Sequence, residues 1–314
     1  MTADGISLTP QFGVVVLNWN NADDTIDCLE ALRLCDPPPA RLVVVDNGSA
    51  DDSIERISAW VSRAADLGRL PDTSVLSTGE NKGFAGGTNV GIRALVEIPD
   101  ITHVVLLNND ATLRSDFFAR AADLLRSHPN AGLIGPTIFH ADAPHSVWYA
   151  GGIEIPSRAL FRHVVSVPHD RRPAPTEFVT GCVMVIARPL IAAIGMLPEC
   201  YFPAYWEDSE YSSHARRAGF PVLYAPDLVA FHKVGSTVRA AGIDVPLERA
   251  KNRLRVFYVR RNYSGSRKFV ALAYLAVTKP ARAIVEMAKG NVALGHAIIA
   301  GTLSGFLSND AVRR

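Results

Sequence analysis

Three short runs are apolar at nearly every position: Phe12–Leu17 (FGVVVL), Arg41–Val45 (RLVVV) and His103–Leu107 (HVVLL). A strand with one wet face alternates apolar and polar residues. A run without alternation is buried on both faces, the situation of a parallel strand covered by helices. Ser74–Leu76 is a weaker strand in the same series. Helical stripes fill the gaps: Ile26, Leu29 and Leu32 within Asp24–Leu34, then Ile54, Ile57 and Val61 within Ser53–Ala65, where Asp51 and Asp52 stand ready as caps. This alternation predicts an α/β fold around a mostly parallel sheet of the nucleotide-binding type. The 314 residues, 48% hydrophobic and 20% charged, suffice for one large α/β domain or two smaller ones and exclude a disordered chain.

In such sheets ligands bind beyond the carboxyl ends of the strands. The residues there are polar in all four cases: Asn18-Trp19-Asn20, Asp46-Asn47-Gly48-Ser49, the stretch from Glu80 to Gly87, and Asn108-Asn109-Asp110. Each alone is ordinary turn chemistry. Together, on one rim, they predict a cleft. Farther along, Gly181–Ala187 and Phe220–Tyr224 read as strands, and Trp206-Glu207-Asp208-Ser209-Glu210 opens a helix ending near Ala218-Gly219. His140–Phe178 reads as a long loop or short hairpins.

Asp110 follows a buried strand, where a carboxylate can ligate a hard divalent ion that also bridges phosphates; the alternative is a cap for a helix near Ser115. His232, after another strand-like run, is a second ligand candidate or a structural histidine. Glu207 and Asp208 are adjacent carboxylates at a helix start, where the dipole favours negative charge. Neighbours on a helix point about 100° apart, so one faces the cleft as a general base while the other caps or orients. The Gly-rich GFAGGTNVG lacks the G-x-G-x-x-G spacing and follows the third strand, and no Walker lysine motif occurs. Dinucleotide and P-loop chemistry are thereby disfavoured.

Six segments in order, VVVLNWNNADDTIDCLEAL, VVVDNGSADDS, NKGFAGGTNVGI, VVLLNNDATL, VTGCVMVIARP and YFPAYWEDSEYSSHARRAG, resemble family 2 glycosyltransferases with the GT-A fold. The likeness spans roughly residues 10 to 235 and is greatest to bacterial rhamnosyltransferase-type enzymes of cell-envelope polysaccharide assembly. The resemblance implies an inverting, metal-assisted transferase using Mg2+ or Mn2+, with L-rhamnose from dTDP-rhamnose as the leading donor. Another UDP- or GDP-sugar, or a catalytically silent nucleotide-sugar-binding protein, is the alternative. It implies that Asn18 and Asn20 border the nucleotide pocket, that Asp46 hydrogen-bonds the base, and that Asn81, Gly83, Phe84 and Asn89 pack near nucleotide and sugar. Asn109 belongs to the same wall. Asn108-Asn109-Asp110 stands at the D-x-D position with its first Asp replaced, leaving Asp110 and His232 as the metal ligands. Glu207-Asp208 matches the E-D pair, with Asp208 the catalytic base.

The expected organisation is a catalytic domain over 1–240 and a basic, amphipathic helical extension over 241–314. Arg249–Lys268 carries eight Lys/Arg and no acid, with Leu254, Phe257, Tyr258 and Arg261 near one another on a helix. Phe269–Thr278 and Asn291–Leu307 are apolar but too short or interrupted to span a bilayer. Residues 249–307 thus read as a surface-lying membrane contact. The alternatives are a helical cap on the catalytic domain and a homo-oligomer interface. The resemblance implies a glycan or polyprenyl-diphosphate-linked acceptor at the cytoplasmic membrane face, and an anionic acceptor would also account for the arginines. A net charge of +1 argues against nucleic acid as partner. Cys28, Cys35, Cys182 and Cys200 match neither a disulfide scaffold nor a zinc pattern, and MTADGISLTPQFG has no signal-sequence character, so the expected location is cytoplasmic.

Overall fold

Buried β-branched runs become the central strands of a mixed sheet. The structure, a computed structural model, describes residues 10–68, 70–234 and 244–308. The N-terminal stretch and the expected 240/241 boundary lie outside the described residues. The first half runs β1 (Phe12–Asn18), α1 (Ala22–Arg33), β2 (Arg41–Asp46), α2 (Ser53–Asp66), β3 (Asp72–Ser77), α3 (Gly83–Val96) and β4 (His103–Asn108). The next elements are β5 (Ala111–Leu113), α4 (Phe117–Ser127), β6 (Leu133–His140), β7 (Val147–Tyr149), β8 (Gly152–Ile155), β9 (Leu160–His163) and β10 (Ala174–Pro175). The catalytic half closes with β11 (Val183–Ala187), α5 (Arg188–Ile194), α6 (Glu207–Arg217) and β12 (Val222–His232). Three helices follow: α7 (Asp244–Asn262), α8 (Gly265–Ala288) and α9 (Val292–Leu307).

The strand order is β10-β12-β6-β11-β4-β1-β2-β3, with β5 on β12 and β7 on β6. Parallel pairing holds across β4-β1-β2-β3 and between β12 and β6. β11 lies antiparallel between β4 and β6, so the sheet is more mixed than the apolar runs alone predict. Burial on both faces explains the confusion: β11, like β4, has no alternation and hides its direction.

Two cores form, one on each face. Val14, Val16, Leu42 and Val44 point to one side with Leu29 and Ile57; Val15, Val43 and Val45 point to the other with Ile92 and Leu95. The period-2 geometry of a strand produces this division. Helix α3 begins inside the Gly-rich stretch that reads as a loop. Its glycines serve close approach: a Cβ on Gly91 would lie 2.4 Å from Val15 Cγ1. The 140–178 region folds as short hairpins, β8 against β9 and β7 against β6. Asp52 precedes α2 without a side-chain capping bond, while the carboxylate of Asp51 accepts the Ser53 N–H at 3.1 Å.

The expected apolar strip of α7 is real but not free. Leu254, Phe257 and Tyr258 are buried with Tyr201, Ala159 and Leu275 in a third core, which docks the C-terminal helices onto the catalytic domain. The arginines of this region are largely ties. Arg255 donates to the carbonyls of Ala159 and Arg158, both at 2.8 Å, Arg260 to that of Gly305 at 2.8 Å, and Arg267 to Glu154 at 2.6 Å. The apolar strip of α7 thus packs as a helical cap on the catalytic domain.

Candidate active site

The carboxyl ends of β1 and β4, the start of α3 and the start of α6 open onto one cavity of about 720 Å³. Of the expected site residues, Asn81, Gly83, Phe84, Asn109, Asp110, Glu207, Asp208 and His232 line it. Backbone pairing explains the meeting of Asp110 and His232. β5 runs antiparallel to β12 with Ala111 opposite His232, and Lys233 N–H donates to the Asp110 carbonyl at 2.9 Å. His232 Nε2 consequently lies 3.0 Å from Asp110 Oδ1, with both side chains almost wholly buried. Residues 122 positions apart become close neighbours because the short β5 pairs with the end of the long β12.

Asn18, Asn20, Asp46 and Asn89 are placed differently: none of them lines the cavity. Asp46 is 2% exposed, and its carboxylate accepts from Asn18 Nδ2 at 2.8 Å, Ser49 Oγ at 2.5 Å and Ser49 N–H at 3.1 Å. Asn18 Oδ1 in turn accepts from Thr25 Oγ1 at 2.8 Å. Asn20, at φ +51°, donates its N–H to Ser49 Oγ at 2.9 Å and accepts from Ala50 N–H at 2.7 Å. These three shape the β1 and β2 loop tips from beneath. Asn89 joins α3 to the segment after α5: it donates to Leu197 O at 2.8 Å and Glu199 Oε1 at 2.9 Å and accepts from Leu197 N–H at 3.0 Å. A side chain whose polar atoms are already engaged inside the protein is a poor contact for a diffusible ligand. In this structure these four side chains bond within the protein and stand behind the cavity wall rather than in it.

Asn47, which the sequence reading did not single out, does line the cavity. It donates to Asn81 Oδ1 at 3.2 Å and Gly83 O at 3.1 Å, and accepts from Lys82 N–H at 3.1 Å. Gly83 sits at φ +72°, and a Cβ there would stand 2.7 Å from the Pro203 carbonyl, which accepts the Phe84 N–H. Larger residues are therefore excluded where α3 meets the 202–206 loop. Trp148 and His163, from the hairpin region, complete the far wall. The Trp148 ring is 4.5 Å edge-on from both His163 and His232.

The acidic pair is set at an abrupt helix start. Tyr205 and Trp206 have φ of +84° and +82°, a left-handed conformation that non-glycine residues adopt at a cost. Asp208 Oδ2 accepts from Gly181 N–H at 3.1 Å, and Oδ1 from Ser209 N–H at 2.6 Å. Burial raises the Asp208 carboxyl above its ordinary value while those donors pull it back. Burial, reinforced by the Asp208 charge, pushes Glu207 up to about 8, and its Oε2 has no hydrogen-bond partner among the described residues. A carboxyl raised in the folded state stabilises below its unfolded value and loses that contribution as pH rises through the folded one. Glu207→Gln should therefore change the melting temperature little near pH 4.5 and raise it by several degrees near pH 8. An increment that is the same at every pH would disprove the assignment of the burden to Glu207.

Glu210, the next acid of the segment, is fully buried and faces away from the cavity. Arg261 Nε at 2.9 Å and Asn262 Nδ2 at 2.6 Å donate to it, as does the Tyr201 hydroxyl. It clasps α7 to the helix that carries Asp208.

Among the described residues no group of three or more His, Cys, Asp or Glu is placed to hold a metal by itself, and no helix is long and apolar enough to cross a membrane. The chain is similar to known proteins in sequence and in fold. The low-salt glycan biosynthesis hexosyltransferase Agl10 of Haloferax volcanii is 23% identical over 235 residues, 72% of this chain and 68% of that protein. The solved mannosyltransferase PcManGT of Pyrobaculum calidifontis, in complex with GDP-Man and Mn2+, matches with a TM-score of 0.59 at 17% identity, over 96% of this chain and 89% of that one. S. aureus TarS 1-349 with UDP-GlcNAc gives 0.57 at 15% identity, over 92% and 81%. Residues 10–258 match the family described as glycosyltransferase like family 2, so the chain belongs to that family and is a glycosyltransferase.

Proposed function

We propose that this enzyme transfers a sugar from a nucleotide-diphosphate donor by a single inverting displacement, with Asp208 as base and Asp110 and His232 holding a divalent cation. The observation that carries the reading is the meeting of Asp110, His232 and Asp208 in the wall of one cavity. A carboxylate and an imidazole are too few donors for a closed protein site, but they suit Mg2+ or Mn2+ that shares its shell with substrate phosphates. His232 Nδ1, buried without a hydrogen-bond partner among the described residues, is consistent with a missing ligand in this wall. A bound ion supplies neutralisation of the charge that grows on the leaving diphosphate.

The chain supplies the rest. Phe84 and Trp19 give apolar walls to the cavity, and Asn47, Asn81 and Asn109 offer polar edges. The anomeric carbon gains oxocarbenium character as the diphosphate leaves. Asp208, fixed by Gly181 and Ser209, takes the acceptor hydroxyl proton as it attacks from the opposite face. No enzyme nucleophile is required.

We infer L-rhamnose from dTDP-rhamnose as the donor, on the motif resemblance, with other UDP- or GDP-sugars as the competing reading. PcManGT and TarS were solved with GDP-Man and UDP-GlcNAc. The acceptor we infer is a cell-envelope glycan or its polyprenyl-linked form, met at the inner membrane face. Support for membrane contact comes from α8. Its outward residues Phe269, Val270, Val277, Ile284 and Val285 are exposed and apolar, and Arg267 and Lys289 stand beside them. We further place the functional boundary between catalytic domain and helical extension near residue 240.

A thermal-shift screen tests the donor reading, since a ligand that favours the folded state raises its melting temperature. dTDP and dTDP-rhamnose with Mn2+ should give the largest shifts; a larger shift with UDP- or GDP-sugars would overturn the rhamnose assignment. Asp110→Asn should weaken the Mn2+-dependent binding at least about tenfold, on the order of 1.4 kcal/mol. Undiminished Mn2+-dependent binding would remove Asp110 from the metal site.

A further inference from the structure

A second cavity, of about 280 Å³, lies against the other side of Asp208. His163, Tyr205, Asp208 and Lys251 line both cavities, so the carboxylate stands at their junction. Four cations face the smaller cavity: Lys251, Arg255, Lys279 and Arg282. Only Glu248 and Asp208 answer them among its lining residues, and Glu248 is already engaged, 3.4 Å from Arg282 and accepting from Asn252.

Lys279 is the anomaly. It occupies the inner stripe of α8, whose other buried members are Ala271, Leu275 and Ala283. It is 7% exposed and makes no hydrogen bond or ion pair with any described residue. Burial and the neighbouring Arg255 and Arg282 lower its pKa to about 8. A helix stripe that needs only packing would carry a fourth apolar residue here, because burying an ammonium without a partner is costly. Arg255 is held rigidly by two backbone carbonyls, and Lys251 lies over the Tyr205 ring at 4.4 Å. The cluster is built before any ligand arrives.

We propose that this cavity binds a phosphate or diphosphate group carried by the acceptor, with Lys279 as its buried anchor and the acceptor hydroxyl presented to Asp208. The proposal rests on the transferase reading above and deepens it: donor and acceptor enter from opposite sides of one base. The outer face of α8 is the exposed apolar surface already described, so the same helix offers an anion site within and an apolar face without. That combination suits a diphosphate joined to a lipid; a soluble phosphorylated glycan shares the headgroup chemistry.

Titration of the whole protein with inorganic pyrophosphate in EDTA tests the site apart from any metal-dependent donor binding. The wild type should bind. Lys279→Met should weaken binding at least tenfold while raising the melting temperature, because it removes an unpaired buried charge; Lys279→Arg should retain binding. Asp110→Asn should bind pyrophosphate in EDTA as the wild type does, which separates this site from the donor site. Should Lys279→Met not fold, Arg282→Gln, at a residue that lines only the smaller cavity, provides the same comparison. Phosphatidylcholine vesicles doped with a polyprenyl diphosphate form a second arm. Tighter Lys279-dependent binding to them than to pyrophosphate identifies a lipid headgroup, and equal binding identifies a soluble anion. Absence of Lys279-dependent binding in both arms overturns the proposal, even if nucleotide-sugar binding in the first cavity is found.

Discussion

Asp208→Asn is expected to lower kcat by about 10²- to 10⁴-fold, the range associated with loss of a positioned general base. Donor affinity should change little, because the amide keeps the volume and the cavity wall. Two features make the substitution informative. Asp208 accepts from Gly181 N–H on one oxygen and from Ser209 N–H on the other, so the proposed base is aimed by backbone. An amide has a single acceptor oxygen, so one of those donors loses its partner, at a cost of roughly 1 to 3 kcal/mol if it stays buried. A modest fall in melting temperature should accompany the loss of turnover. In the wild type, log(kcat/KM) should drop as pH falls through the Asp208 value, which burial places above the ordinary carboxylate range, because the base must be ionised to accept a proton. Turnover close to wild type in Asp208→Asn would end the assignment and direct attention to His163, which borders both cavities.

The second large effect concerns Glu210, which touches neither cavity. Glu210→Ala removes a fully buried carboxylate from Arg261, Asn262 and Tyr201 at once. Breaking a buried charge pair costs about 3 to 5 kcal/mol, and the partial exposure of Arg261 puts the expectation near the lower end. The melting temperature should fall on the order of 10 °C. Turnover should fall as well, through looser placement of α6 rather than through lost chemistry. Arg261→Ala should reproduce much of the effect, and the double variant should fall well short of the sum, since both residues serve one contact. Additive losses would show that the clasp is not the unit described here.

Much of the fold is legible along the chain. The runs at Val14–Val16, Leu42–Val45 and Val104–Leu107 are apolar because both faces are covered, and that requirement writes itself into composition. Direction does not. β11 satisfies the same requirement as β4 while running the opposite way, and only pairing distinguishes them. Helix α3 was hidden for a different reason. Its glycines, which read as loop formers, are there because the helix lies against Val15 and Leu17. The short strands of the 140–178 region carry too little periodicity to announce themselves, yet they supply Trp148 and His163 to the cavity.

Local sequence determined the polar loop tips after the strands, the acidic helix start at Glu207-Asp208 and the basic character of α7, since each follows from side chains at fixed spacing along one element. Tertiary structure alone decided which of those groups face a ligand. Asp110 meets His232 through a ladder closed by distant strands, Asp46 turns inward to Ser49 and Asn18, and Lys279 is an ordinary lysine until the docking of α8 buries it at a cavity shared with Arg255, Arg282 and Asp208. Spacing in a chain fixes the face of an element on which a residue stands. What that face meets depends on packing between elements far apart in the chain, and packing sets the burial and charge on which the chemistry depends.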